Sequence, residues 1–213
     1  IDRITHAPTT YVLAHDPAML LEHARLIEPA PHGRKVRVSV QPTETVGNYM
    51  VNVATRDRRG LLSRIAGAFA DSGYSVVSAS LATWPDNSVL DTFVVAASSP
   101  PDATALADIL TRALKGRLRS RKLEGEVPRI AVDNSIHPWH SVLRVSGPDQ
   151  IGLLAAISFA LSELGVVVHH AVIQTRGGIV DDEFEISDRV GRKVSDDHAS
   201  AVRRVLDRTS GRS

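Results

Sequence analysis

The sequence predicts an α+β chain: two ferredoxin-like sandwiches in tandem, each ordered β-βαββα with four antiparallel strands and two helices. Three observations lead there. First, Val51 to Thr83 and Leu143 to Thr175 match without a gap, 92 positions apart: Asp57, Gly60, Leu61, Leu62, Ile65 and Gly73 fall on Asp149, Gly152, Leu153, Leu154, Ile157 and Gly165. Identity in fixed register marks a duplicated supersecondary unit. Second, apolar residues alternate where strands are expected and recur at helical spacing between them. Third, the chain ends on a helical pattern with no strand after it, so the extra strand of each unit stands in front.

The elements follow in order. Pro17 to Ile27 holds apolar positions 19, 20, 21, 24, 26 and 27, enough for a short helix opened at Asp16-Pro17 and ended by Pro29, Pro31 and Gly33. Residues 1–33 read as an N-terminal helical segment or linker, residues 34–125 as the first unit and residues 126–213 as the second. Val36 to Val40 alternates strictly and reads as a half-buried strand; Tyr49 to Thr55 is the next strand. Leu61, Leu62, Ile65 and Phe69 lie on one helical face, and Gly73 stops that helix. β-branched runs at 74–83 and 89–96 flank the turn Trp84-Pro85-Asp86-Asn87, and a second helix covers about 101–115. The second unit repeats this with strands at 128–132 and 140–146, a helix at 152–164, strands at 166–175 and 179–187 around Gly177-Gly178, and a helix at 195–207.

Composition excludes several function classes. The net charge of +1 offers no field to recruit nucleic acid or a membrane surface. The chain has no cysteine, which removes disulfides, thiolate metal sites and cysteine nucleophiles. No apolar run approaches the roughly 18 residues of a membrane span, and a cytoplasmic location is expected. The chain begins at Ile1 and its first methionine is Met19, so it reads as a processed product or a piece of something longer.

The motif that carries chemistry is Asp-x-x-Gly-Leu-Leu, at Asp57 to Leu62 and again at Asp149 to Leu154. It lies where a strand ends and a helix begins, and each Asp is expected as the helix N-cap. A Gly in the first turn costs about 1 kcal/mol against Ala, so its presence twice implies that something passes too close for a Cβ. A ligand using the free N–H groups and backbone from the partner unit both satisfy that requirement.

These motifs, the Gly that follows each by about a dozen residues, and the hairpin ends Leu90-Asp91-Thr92-Phe93 and Asp181-Asp182-Glu183-Phe184 resemble ACT domains, regulatory modules that bind amino acids. The resemblance covers residues 34–207. The paired arrangement with Tyr11 to Ile27 in front is similar to the C-terminal regulatory part of the nitrogen-control uridylyltransferase/uridylyl-removing enzymes, whose paired ACT domains sense glutamine. The resemblance implies an amino acid effector held by the motif loops: Asp57, Arg58, Arg59, Gly60, Leu61 and Leu62, with Ser75, in the first unit. In the second unit it implies Asp149, Gln150, Ile151, Gly152 and Leu153.

The sequence departs from that pattern at two places in each unit. Arg59 and Ile151 stand where the family often has Pro, and Ser75 and Val167 where it often has a ligand-contacting Asn. Val167 offers no hydrogen bond, so the first unit, with Ser75 and Arg59, is expected to be the better binder. Preceding catalytic domains or a partner enzyme are the implied partners. The alternative, from a different class, is a ligand-free protein-interaction module, with a homodimer as one form of it.

Other signals point to structure rather than chemistry. His169-His170 beside Asp181, Asp182, Glu183 and Glu185 lacks metal-ligand spacing, because neighbours on a strand face opposite ways, and no metal is expected. Asp91 and Asp182 share the inward face of Phe93 and Phe184 and are expected to be held by hydrogen bonds. The basic stretch Arg112, Lys115, Arg117, Arg119, Arg121 and Lys122 follows a helix C-terminus, where cations are ordinary. Too few aromatic residues stand on the strands to stack nucleic-acid bases. No nucleophile and base are placed together, no phosphate loop is present, and no catalytic residue or cofactor is expected.

Overall fold

In the computed structural model of the protein, residues 2–7, 9–13 and 15–210 are described. Three short helices come first: α1 (Asp2–Thr5), α2 (Thr9–Leu13) and α3 (Pro17–Ile27). The first repeat comprises β1 (Arg37–Pro42), β2 (Asn48–Arg56), α4 (Leu61–Asp71), β3 (Ser75–Thr83), β4 (Ser88–Ala96) and α5 (Ala103–Lys115). The second comprises β5 (Arg129–Asp133), β6 (Ser141–Pro148), α6 (Leu153–Glu163), β7 (Val167–Arg176), β8 (Ile179–Ser187) and α7 (Asp197–Ser210). The order β-βαββα holds in both.

The two repeats share one antiparallel sheet of eight strands, in the order β1-β2-β4-β3-β7-β8-β6-β5. They join at β3 and β7, where Ser78 faces Gln174 and Ala79 faces Ile173. Because β3 and β7 are the same strand of the two copies, this is a self-complementary junction around a pseudo-twofold axis, the geometry of a symmetric dimer inside one chain. The helix pair obeys the same axis: α4 packs on α6, and the Ser63 hydroxyl donates to the Ala155 carbonyl oxygen at 3.2 Å. The core is continuous across both units, with Ile65, Phe69 and Phe93 buried in the first and Ile157, Leu161 and Phe184 in the second. Phe69 meets Phe93 edge to face at 5.1 Å, the geometry that ring quadrupoles favour.

Each Asp-x-x-Gly-Leu-Leu segment turns through its glycine. Gly60 (φ 69°) and Gly152 (φ 88°) are left-handed N-caps with no side-chain capping bond. This corrects the expectation that Asp57 and Asp149 cap the helices. Both aspartates belong instead to the strand ends, with their N–H groups bonded to the hairpin turns at Asn87 and Gly178. A positive φ is costly for any residue with a Cβ, and this is one reason for the repeated glycine. The other is the chain between α5 and β5: a Cβ on Gly60 would lie 2.9 Å from Leu118, and one on Gly152 would lie 2.3 Å from Arg121. The basic stretch thus lies over both motif glycines, and Arg121 pairs with Asp71. Gln150 fastens the same segment, accepting from the Gly125 N–H at 2.9 Å and donating to the Glu126 carbonyl oxygen at 2.9 Å.

The N-terminal helices cover the opposite face of the first unit. Asp16 caps α3 as expected, its carboxylate accepting from the N–H groups of Ala18 and Met19. Tyr11, Leu20 and Ile27 pack with Trp84 on the sheet residues Ala54, Ala82 and Leu90. The Trp84 indole donates to the Arg3 carbonyl oxygen at 2.9 Å. α1 and α2 are too short to leave a periodic trace in the sequence. The equivalent face of the second unit carries no helix among the described residues, and is polar, with Arg144 reaching across to Glu183 at 2.8 Å. No helix among the described residues is long and apolar enough to cross a membrane.

Candidate functional site

The pseudo-twofold axis creates two equivalent clefts, each between the motif loop of one unit and the strand that follows the first helix of the other. They differ in size. The cleft of the first motif loop is a cavity of about 380 Å³, within the range of small-molecule sites, about 300–1,000 Å³. The cleft of the second motif loop is nearly closed, at about 20 Å³, room for a single water.

The open cavity is lined on one side by Asp57 to Ser63 and on the other by α6 and the start of β7, from Gly165 to His169. Leu62 and Ser63 lie in the first turn of α4, and their N–H groups have no hydrogen-bond partner among the described residues. Such groups are ready donors to an anionic head group. Three arginines line the cavity. Arg59 donates to the Ser162 carbonyl oxygen at 2.8 Å, and Arg58 donates to Gly33 at 2.7 Å. Exposed Arg189, from the loop after β8, lies against Gly165, its Nε 2.7 Å from where a Cβ would stand.

The acidic side of the cavity is Asp57 with Asp91. Asp91 is buried, and desolvation, then the charge of Asp57, pushes its carboxyl well above the usual carboxylate range; a hydrogen bond from the Ala82 backbone opposes this. In the closed cleft Asp182 occupies the equivalent place. It accepts from the Gln174 N–H at 3.1 Å, and burial lifts it to about 7. Burial raises Asp149 too, against the neighbouring Ser75 hydroxyl. Both inward aspartates thus have the hydrogen bonds expected of them, and Asp91 also faces the open cavity.

The structure regroups the residues expected from the sequence. Asp57, Arg58, Arg59, Gly60, Leu61 and Leu62 come together in the open cavity. Ser75 does not join them; it lines the closed cleft with Asp149, Gln150, Gly152 and Leu153. The first motif loop faces Val167 instead. The cause is the pseudo-twofold axis, which sets each loop against the later strand of the opposite copy. Ile151 is exposed and lines neither cleft.

Two features escaped the sequence reading. The open cavity is lined by Ser158 and Ser162 of α6, and the closed one by Ala66 and Ala70, which stand at the same positions of α4. The gapless register of the repeat carries that difference openly. The second feature is a column of imidazoles at the cavity edge: His169 stacks on His140 at 4.0 Å, and His140 on His137 at 4.7 Å. A bulge between Val168 and His170 interrupts the strand alternation there. Burial and the neighbouring His140 lower the pKa of His169, which bonds to the Ser187 hydroxyl at 2.8 Å. His137, His140 and Glu185 lie close enough together to share a cation. However, the His137 Nδ1 already accepts from the N–H groups of Trp139 and His140.

The chain thus presents a duplicated β-βαββα unit, with helices paired on one face of a shared sheet and a small-molecule-sized cleft at the junction. The chain belongs to the ACT domain family, which it matches over residues 49–110 and 141–207. It is similar to the bifunctional uridylyltransferase/uridylyl-removing enzyme of Gluconobacter oxydans, with 32% identity over 88% of this chain and 22% of that protein. With the enzyme of the same description from Rhodospirillum rubrum it shares 35% identity over 89% of this chain and 22% of the relative. The chain thus spans under a quarter of the length of these curated relatives. Among solved structures, the aspartate kinase of Synechocystis aligns over 73% of this chain and 26% of its own, at 19% identity and a TM-score of 0.42.

Proposed function

We propose that the tandem ACT units form an amino acid sensor, with glutamine as the first-choice effector, that regulates attached or associated catalytic domains of a cytoplasmic nitrogen-metabolism enzyme. The chain itself performs no chemistry in this reading. The observation that carries it is the open cavity between the units, which offers separate partners for both charges of a zwitterion. The free N–H groups at the start of α4 and Arg189 suit a carboxylate. The acid pair Asp57 and Asp91 suits an ammonium group. An occupant touching both units would stabilise one packing of the two over others, which is how a ligand shifts an equilibrium. Likeness to the uridylyltransferase/uridylyl-removing enzymes supports the choice of effector and of regulated partner. Isothermal titration of the common amino acids into the chain tests it. One binding site per chain is expected, and no heat and no thermal shift with any of them would sink the reading.

One observation favours a second reading, a ligand-free interaction or dimerisation module. Leu118 and Arg121 already occupy the space above both motif glycines, so the glycines have a packing role without any ligand. Light scattering that found a homodimer insensitive to amino acids would favour it.

A further inference from the structure

We propose that Ser158 and Ser162 are the specificity-determining residues of the open cavity, selecting an amino acid whose side chain ends in an uncharged hydrogen-bonding group such as an amide or hydroxyl. This rests on the amino acid reading above and adds what the site demands of the side chain. Both serines line the cavity and are buried, at 4% and 6% exposure, and neither hydroxyl has a hydrogen-bond partner among the described residues. A helical serine ordinarily returns its hydroxyl to the carbonyl one turn back. Ser72 does so, donating to Ala68 at 2.9 Å, and Ser63 donates to Ala155. Ser158 and Ser162 do neither.

A buried hydroxyl without a partner destabilises the fold, and alanine would be the cheaper residue. The first unit shows that alanine is tolerated there, since Ala66 and Ala70 hold the same positions of the paired helix and line the closed cleft. Ser158 and Ser162 therefore bring hydroxyls to the larger of the two clefts, where the smaller has alanines. Their position fits this role, since the Ser162 Oγ lies 3.3 Å from where a Cβ on Gly60 would stand, beside the motif loop itself.

Geometry narrows the occupant. Residues four apart on a helix hold their Cβ atoms about 5–6 Å apart, which is about the span of two hydrogen bonds meeting at one group. A single amide or hydroxyl placed between the serines can bond to both. A charged end is disfavoured, because neutral hydroxyls cannot replace the hydration of an ion. The ionisable groups of the cavity, Asp57, Asp91, Arg58, Arg59 and Arg189, remain for the zwitterionic head.

The test is titration of the full chain with L-glutamine, L-asparagine and L-methionine, before and after the double substitution S158A/S162A. Before substitution, the better-bound amide is expected to exceed methionine by at least about tenfold. In S158A/S162A that preference should vanish, with amide affinity down about 10- to 100-fold and methionine unchanged or tighter. The melting temperature without ligand should stay level or rise, since two unpaired hydroxyls are gone. It reports folding independently, and Ser162→Ala alone serves if the pair misfolds. A retained amide preference in the folded variant overturns the role of the serines and leaves the amino acid reading standing. Equal binding of methionine before substitution does the same. Absence of binding by any amino acid overturns both.

Discussion

Ser63 and Ala155 hold the same place in the two copies of the repeat, and they meet across the helix pair, hydroxyl to carbonyl, at 3.2 Å. A residue that touches its own counterpart lies next to the pseudo-twofold axis, so the elements of the two repeats come in pairs on either side of it. The two clefts are such a pair, and they differ in volume and in the residues that line them.

Introducing hydroxyls into the closed cleft should not open it. Ala66→Ser and Ala70→Ser place polar atoms in a space of about 20 Å³, and each is expected to cost about 1–3 kcal/mol. Chemical denaturation measures the cost, and titration should still find one site per chain.

The glycines of the two turns should respond to alanine in a fixed order. Gly73 (φ 76°) has open space around it, so Gly73→Ala meets backbone strain alone, about 1–2 kcal/mol. Gly60→Ala meets that strain and also displaces Leu118. Its loss of stability on urea unfolding should be the larger of the two.

His23 and Asp182 should give opposite pH dependences. His23 is buried with its Nδ1 on the Tyr11 hydroxyl at 2.6 Å, and desolvation lowers its pKa to about 4. The unfolded chain, with its histidine near 6.5, binds the proton more readily, so stability is lost as pH falls from about 6.5 towards 4. Asp182 is the reverse case, raised to about 7. The folded chain holds its proton more tightly, so stability is lost as pH rises from about 4 to 7. Each limiting slope is about 1.4 kcal/mol per pH unit. His23→Gln should remove the first slope and Asp182→Asn the second, read from denaturation midpoints at pH 4 to 8.

Trp84→Ala should loosen the N-terminal helices. The indole is 4% exposed, packs edge-on to Tyr11 at 5.2 Å and donates to Arg3. A loss of about 3–5 kcal/mol is typical of such a truncation. Limited proteolysis should then cut within residues 2–27 while the repeats stay protected.

Much of this architecture is legible in the residues. Alternation marks β1 at Val36–Val40, the Leu61-Leu62-Ile65-Phe69 stripe marks α4, and the register of the repeat supplies their counterparts. What is not legible has separate causes. The sequence suggests that Ser75 serves the loop nearest to it in the chain, whereas the axis delivers it to the loop of the other copy. The capping role assigned to Asp57 fails because Gly60 takes the left-handed turn, a backbone choice that spacing alone does not reveal. Ser158 and Ser162 become visible only when the copies are compared for their differences rather than for their matches.

β4 has one more consequence. Its alternation sends Val89 and Asp91 into the open cavity and Leu90, between them, into the cluster of Tyr11, Ile27 and Trp84 on the far side. Cavity and N-terminal helices thus press on the two sides of one pleated strand, as on a diaphragm. In the proposed sensor, a push from an occupant at Asp91 would reach the floor beneath α3 with no layer between to absorb it.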